Sequence, residues 1–231
     1  MSSPQGEVKT RFIDLLSAFL HRFRIVFLVV LAALLAAVIA YFIWSEWQQR
    51  ARERSTLWAE NAQTLYQKWL DEPEASKKKD LADELNELLQ RILSQYPRQY
   101  GAQRALFIGA AMAYEQKDWA KSAEGYLALA KRFPRSYLAP LGLLYGGLCY
   151  EEMDDIPKAL AAYGQIISRY KDSLQRPRAL FSTGRLLELQ QDFTGAKKAY
   201  DQLEDEYPLS SWTKAARNRL IDLKIKGKIS E

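Results

Sequence analysis

The sequence predicts an all-α chain, with one membrane-spanning helix near the N-terminus followed by a solenoid of helical hairpins. Two observations carry this. Residues 25–45 read IVFLVVLAALLAAVIAYFIWS, without a charge, a Pro or a Gly. Beyond them, three segments align without gaps at a spacing of 37 residues, and a fixed period of this size marks stacked supersecondary units. Composition narrows the chemistry further. A single cysteine (Cys149) and a single histidine (His21) in 231 residues exclude an intrachain disulfide, a Cys/His zinc site and a CxxC pair.

Taken in order, residues 1–24 form a tail in which Phe12, Leu16, Phe19 and Phe23 follow helical spacing among Lys9, Arg11, Asp14 and Arg22. This is the pattern of an amphipathic helix at a membrane surface, with His21 a solvated interfacial imidazole rather than a ligand. Residues 25–45 then make a helix of roughly 30 Å, the thickness of a bilayer's hydrocarbon core. A buried core helix would carry a polar face. A cleaved signal peptide would not continue through Tyr41, Phe42, Ile43 and Trp44, which read instead as an interfacial aromatic belt. Arg22 and Arg24 abut the span on one side and Glu46 is the first charge on the other. The N-terminus is therefore expected in the cytoplasm and the larger part across the membrane; the inverted topology would make the chain a cytoplasm-facing adaptor.

Residues 46–79 form a membrane-proximal helix and a linker. Trp47, Leu57, Trp58, Ala62, Leu65, Tyr66 and Trp69 alternate with charged residues, and pairing with 81–96 would give a degenerate first hairpin. The polar stretch DEPEASKKK (71–79) is the linker candidate, with Lys77–Lys79 expected in a solvated loop.

Residues 80–231 contain the repeats and a final capping helix over 212–226. Asp118, Asp155 and Asp192 are in register, as are Ser122/Ala159/Ala196, Tyr126/Tyr163/Tyr200, Phe133/Tyr170/Tyr207 and Ser136/Ser173/Ser210. Each unit reads as two antiparallel helices. A small residue on the first (Ala110, Gly147, Gly184) allows close approach, and the Asp caps the second helix. The Tyr of the second helix fills the space over its neighbour. Pro134 and Pro208 stop the second helix, and Ser136 and Ser210 stand where the next helix needs a cap. Lys171 replaces the Pro in the second unit, so that helix end is expected to be less sharply fixed.

The sets Ala110/Ser122/Tyr126/Pro134, Gly147/Ala159/Tyr163 and Gly184/Ala196/Tyr200/Pro208 resemble the tetratricopeptide repeat (TPR), lengthened by three residues after the Pro. The longer unit is similar to the repeats of BamD-type and CpoB-type cell-envelope proteins. The architecture of one span, a Trp- and Arg-rich helix and repeats resembles the YfgM-type ancillary subunits of the Sec translocon. That resemblance implies a bacterial inner-membrane protein with a periplasmic repeat domain, whose partner is a translocon subunit, a periplasmic chaperone or an exported chain. The alternative it implies is a scaffold in envelope assembly or cell division.

A repeat solenoid binds protein along its first-helix face. The candidates there are Arg104, Phe107, Ala111 and Tyr114 in the first unit. Leu141, Leu144, Leu148 and Glu151 follow in the second, and Arg178, Phe181, Arg185 and Glu188 in the third. Phe107/Ala111, Leu144/Leu148 and Phe181/Arg185 stand where the carboxylate-clamp TPRs have Lys and Asn, so chaperone C-termini are not the expected ligand. No Walker loop, GxGxxG or GxSxG is present, and the carboxylates Glu151, Glu152, Asp154 and Asp155 lack the glycine of a calcium loop. Cys149, on an apolar helix, reads as a buried small hydrophobe. No catalytic, cofactor or metal residues are therefore assigned, and neither an enzyme activity nor a small-molecule substrate is expected. The net charge of +5 sits mostly at the two ends, +2 in residues 1–24 and +4 in 211–231, which leaves the repeats without the basic face of a nucleic-acid binder.

Overall fold

The computed structural model describes residues 4–229, the side chains of 4–22 and of residue 27 excepted. The amphipathic reading of residues 1–24, and with it His21, rests on side chains outside the described residues. All regular secondary structure among those residues is helical, and the chain divides into two compact units, 1–53 and 54–231.

The helix α1 (Pro4–Asp71) contributes to both units. In the first unit, every described side chain from Phe23 to Trp44 is exposed. Ile25, Leu28 and Phe42 are each more than 60% accessible. An apolar helix of this kind is not the core helix of a folded domain; by length and composition it can cross a membrane.

The second unit begins with the C-terminal part of α1, followed by α2 (Ala75–Gln95). Ala62, Leu65, Tyr66 and Trp69 of α1 share a core with Leu85, Leu89 and Ile92 of α2 and with Ala105, Ile108 and Met112 of α3 (Tyr100–Glu115). The expected linker shrinks to residues 72–74. Lys77–Lys79 belong to the first turn of α2 rather than to a loop. The cause is local: Pro73 interrupts the helix, and Lys78 then packs over the Trp69 ring at 5.0 Å. Lys77 pairs with Glu74 at 2.7 Å.

Three hairpins follow, α3 with α4 (Trp119–Arg132), α5 (Leu138–Glu152) with α6 (Ile156–Arg169), and α7 (Arg176–Leu189) with α8 (Phe193–Glu206). Helix α9 (Ser211–Ile225) closes the series, burying Ala216, Leu220 and Leu223 against Leu180, Tyr200 and Leu203. Packing joins sequence neighbours, with α3 also on α5 and α7 on α9. The core is accordingly a succession of clusters, as a solenoid requires.

Each hairpin turn repeats the same chemistry. Lys117, Asp154 and Gln191 take left-handed φ values of 60°, 55° and 62°, in register at 37 residues. Their N–H groups, and those of the following Asp, bond back to carbonyls of the first helix, closing its C-terminus. Asp118, Asp155 and Asp192 then cap the second helix by accepting from Lys121 N, Lys158 N and Gly195 N at 3.1, 3.2 and 2.9 Å.

The second-helix ends differ from expectation at Lys171. α6 stops at the same register position as the two helices followed by Pro, with the same cap geometry at Tyr170 as at Phe133 and Tyr207. The end is held without Pro: Tyr170 N donates to Ile166 O at 3.0 Å and Ser173 N to Tyr170 O at 3.0 Å. The ring adds a tie to the previous repeat. Tyr170 Oη donates to Pro134 O and Tyr207 Oη to Lys171 O, each at 3.0 Å. Phe133 has no hydroxyl, and Arg132 Nη2 takes over the equivalent bond, donating to Pro97 O at 2.8 Å. The serine caps are also shifted. Ser210 is the N-cap of α9, whereas Ser136 and Ser173 precede the N-caps Tyr137 and Gln175. Both still accept from the N–H two residues on, at 3.1 Å.

Candidate protein-binding site

The tyrosines of the repeats decide where the first-helix face opens. Tyr163 and Tyr200 lie directly over Gly147 and Gly184, so closely that a Cβ on either glycine would overlap the ring. The first hairpin has Ala110 at this position, with Gly125 of α4 set against it. The Tyr126 ring instead stacks on Tyr145 of α5, with centroids 5.2 Å apart and planes at 22°. Phe107 packs edge-on to both, at 5.3 and 6.0 Å. Tyr114 packs edge-on to Trp119 at 4.9 Å.

These rings surround a cleft of about 250 Å³, walled by Tyr66 of α1, Phe107, Ala111 and Tyr114 of α3, Tyr126 of α4 and Tyr145 of α5. Gln63 and Glu115 supply its polar rim. Burial pushes the Tyr66 hydroxyl up to about 12, with the charge of Glu115 adding to the effect. Burial likewise raises the Tyr126 and Tyr114 hydroxyls. All three hydroxyls therefore hold their protons past the pH at which a free phenol ionises. The cleft presents aromatic faces and neutral hydroxyls, with a carboxylate at its edge.

Of the sequence candidates, Phe107, Ala111 and Tyr114 come together here. Arg104 is tied to the rim residue Gln63, and the others are engaged elsewhere. Arg104 donates from Nη2 to Gln63 Oε1 at 2.7 Å. Glu151 accepts from Tyr163 Oη at 2.6 Å and pairs with Arg185 of the next repeat. Glu188 accepts from Tyr200 Oη at 2.5 Å and from Arg219 Nε at 3.0 Å. Phe181 packs between Tyr200 and Trp212, and Arg178 lies over the Trp212 ring at 5.5 Å. Leu148 is half-buried. Leu141 is half-buried and lines a different cleft, between the loops that join repeats. Leu144 is fully buried in the core and so is unavailable to a ligand, because its helical turn faces Tyr163 and Ile166 of α6.

Sequence reasoning missed Tyr66 and Tyr145 as cleft residues. Neither follows the repeat signature; Ile108 and Ser182 stand in register with Tyr145. It also missed Arg176, which is 7% exposed and donates from Nε to Ile167 O at 3.1 Å and from Nη1 to Tyr207 Oη at 3.0 Å while pairing with Glu206. Cys149 is buried as expected, its Sγ donating to Ser122 Oγ at 3.2 Å, and burial raises its thiol. Among the described residues, no group of three or more His, Cys, Asp or Glu is placed to hold a metal ion.

Residues 142–173 and 178–210 match the family model described as a tetratricopeptide repeat. Residues 23–141 match the model described as a tetratricopeptide repeat-like domain, a region that includes the apolar stretch 25–45. No curated protein matches the chain. With just over half of its length matched by that one model, and the hairpin, cap and Gly–Tyr contacts repeating at 37 residues, the chain belongs to the tetratricopeptide repeat-like domain family.

Proposed function

We propose that this protein is a membrane-anchored interaction module that holds a protein partner on the face of its first repeats. The aromatic cleft of Tyr66, Phe107, Tyr114, Tyr126 and Tyr145 carries the reading. It is sized for a side chain rather than a metabolite, and its rigid rings are the residue type that dominates protein-binding hot spots. One apolar side chain buried there contributes about 1.5–3 kcal/mol. Glu115 at the rim favours a basic residue beside it. A binding role rather than a catalytic one is supported by its buried thiol and by Glu151 and Glu188, which are engaged by Tyr and Arg side chains.

Residues 25–45 form the anchor, with the N-terminus in the cytoplasm and the repeats in the periplasm of a bacterial inner membrane. The partner is a translocon subunit, a periplasmic chaperone or an exported chain, and the module assists Sec-dependent translocation or early folding. The resemblance to YfgM-type subunits supports this finer reading. A photo-crosslinking residue placed at Phe107 or Tyr114, with one at the exposed Glu124 as control, tests it in cells. Translocon, chaperone or exported chains should be captured from the cleft positions and not from Glu124. Equal capture from all three would remove the cleft from the reading, and recovery of division or envelope-assembly machinery would replace the translocon with a scaffold role.

A further inference from the structure

The loops that join one repeat to the next lie side by side at one edge of the second unit, tied by the Arg132–Pro97, Tyr170–Pro134 and Tyr207–Lys171 bonds. Their tips are apolar and uncovered. Tyr100, Tyr137 and Leu174 share one register position; Tyr137 is 66% exposed and Leu174 90%, and Leu209 in the last loop is 99% exposed. Around these tips stand the exposed Arg98, Lys131, Arg132, Arg135, Arg169 and Lys171, with Asp172 the acidic residue among them. Two open clefts run between the first three loops, about 500 and 710 Å³ in volume, with Tyr137 in both and Arg135 at both rims. The last loop is different: Asp205 and Glu206 precede it, the latter held by Arg176.

The opposite edge has another character. Its turns mix the carboxylates Glu115, Asp118, Glu152, Asp154, Asp155 and Asp192 with Lys117, and lysines of α2 and α9 stand at its two ends. The basic, apolar-tipped edge is also the one at which the chain arrives from the apolar helix. Ser55 Oγ accepts from Gly101 N at 3.4 Å and Trp58 packs edge-on to Tyr96 at 5.4 Å, both beside the first loop. Ser45 and Ser55 are ten positions apart, a reach of at most about 35 Å even when fully extended. A connection this short, itself part of α1, keeps the edge within that reach of whatever surface the apolar helix enters.

We propose that this edge docks on the anionic surface of the bilayer crossed by residues 25–45, an inference that rests on the anchor reading above. Tyr137, Leu174 and Leu209 enter the headgroup layer, and Arg98, Arg135 and Lys171 pair with lipid phosphates. Exposed Tyr and Leu flanked by arginines is the chemistry of an interfacial contact, in which apolar area and attraction to anionic lipid act together. Docking would turn the hairpin edge, with its mixed charges, toward the aqueous phase.

The test uses the full chain in vesicles of phosphatidylcholine with and without phosphatidylglycerol. Leu174→Cys, Leu209→Cys and, at the opposite edge, Gln191→Cys are each labelled with an environment-sensitive fluorophore in a Cys149→Ala background. Flotation of the vesicles first reports whether the chain is anchored. Lipids brominated near the headgroup should then quench labels 174 and 209 severalfold more than label 191. The difference should require phosphatidylglycerol and be lost in the variant Arg98→Glu/Arg135→Glu/Lys171→Glu. Equal quenching at 174 and 191 in co-floating protein would overturn the docking while leaving the anchor intact. Failure to co-float would overturn the anchor and the docking with it. Shielding of the edge labels by an added protein, with no lipid quenching, would assign the edge to a protein partner.

Discussion

The Tyr163 hydroxyl donates to Glu151 Oε1 at 2.6 Å, and the other oxygen of the same carboxylate pairs with Arg185 in the next repeat. The arrangement recurs one repeat later, where Glu188 joins Tyr200 to Arg219 of the closing helix. One carboxylate thus links the two helices of its own hairpin and the following structural unit. The first hairpin has Tyr114 in this register position, and it is there that the aromatic cleft opens. The relay predicts a difference in cost between its members. Glu151→Ala strips a buried hydroxyl and a guanidinium of their partner at once and should cost about 1–2 kcal/mol. Arg185→Ala, at a half-exposed ion pair, should cost less than about 1 kcal/mol. Urea unfolding of the two variants checks the order, and equal costs would mean that the Tyr163 bond contributes nothing.

Gly147 and Gly184 leave no room for a side chain beneath the Tyr163 and Tyr200 rings of their paired helices. Gly147→Ala would drive a methyl group into the Tyr163 ring and should destabilise the protein by about 1–3 kcal/mol through overpacking. Adding Tyr163→Leu should recover part of that loss, giving a coupling energy in a double-mutant cycle. Strict additivity of the two changes in thermal unfolding would contradict the contact.

Lys117 and Gln191 hold left-handed backbone at φ 60° and 62° without being glycine. That conformation costs an L-residue roughly 1–2 kcal/mol, against which a glycine gives back about 0.5–1 kcal/mol of unfolded-chain entropy. Lys117→Gly and Gln191→Gly should therefore each stabilise the fold by up to about 1 kcal/mol. A lowered urea midpoint for both would refute this.

Alkaline pH should unfold the repeats cooperatively. Burial raises the hydroxyls of Tyr66 (to about 12), Tyr126, Tyr163 and Tyr200, so the folded chain keeps protons that the unfolded chain gives up near pH 10. Stability from these groups is complete below pH 10 and falls as pH rises through 10 to 12 and beyond. Phenolate absorbance should show a late phase coinciding with loss of helical circular dichroism, and Tyr66→Phe should shift that phase to higher pH. Independent, non-cooperative titration of all tyrosines would be the contrary result.

Much of the fold was legible because each signal is local. An Asp cap, a helix-stopping Pro and a small residue opposite a Tyr act within one hairpin, so each leaves a mark at a fixed spacing, and 37-residue register made the marks visible together. The helix end at Lys171 is sharper than the missing Pro implies because backbone bonds at Tyr170 and Ser173 close it, and the Tyr170 hydroxyl adds a tie to the carbonyl of Pro134 in the preceding repeat. The Lys77–Lys79 run was read as loop because polarity says nothing of the Trp69 ring that receives Lys78.

The candidate site was legible only in part, on α3. Phe107 and Tyr114 follow from repeat position, but the cleft also needs Tyr66 from α1 and Tyr145 from α5, 79 residues apart in sequence. Repeat register likewise placed Glu151, Arg185 and Glu188 on the first-helix face without showing that Glu151 pairs with Arg185 and Glu188 with Arg219. The sequence by itself determined an apolar helix of bilayer length and a helical-hairpin repeat, since helical periodicity, capping and composition are properties of short segments. The tertiary structure alone decided which rings form a cavity, which charges are consumed by neighbouring repeats and which loop tips share an edge. Those outcomes depend on the distance between residues remote in the chain, and that distance is set only when the hairpins pack.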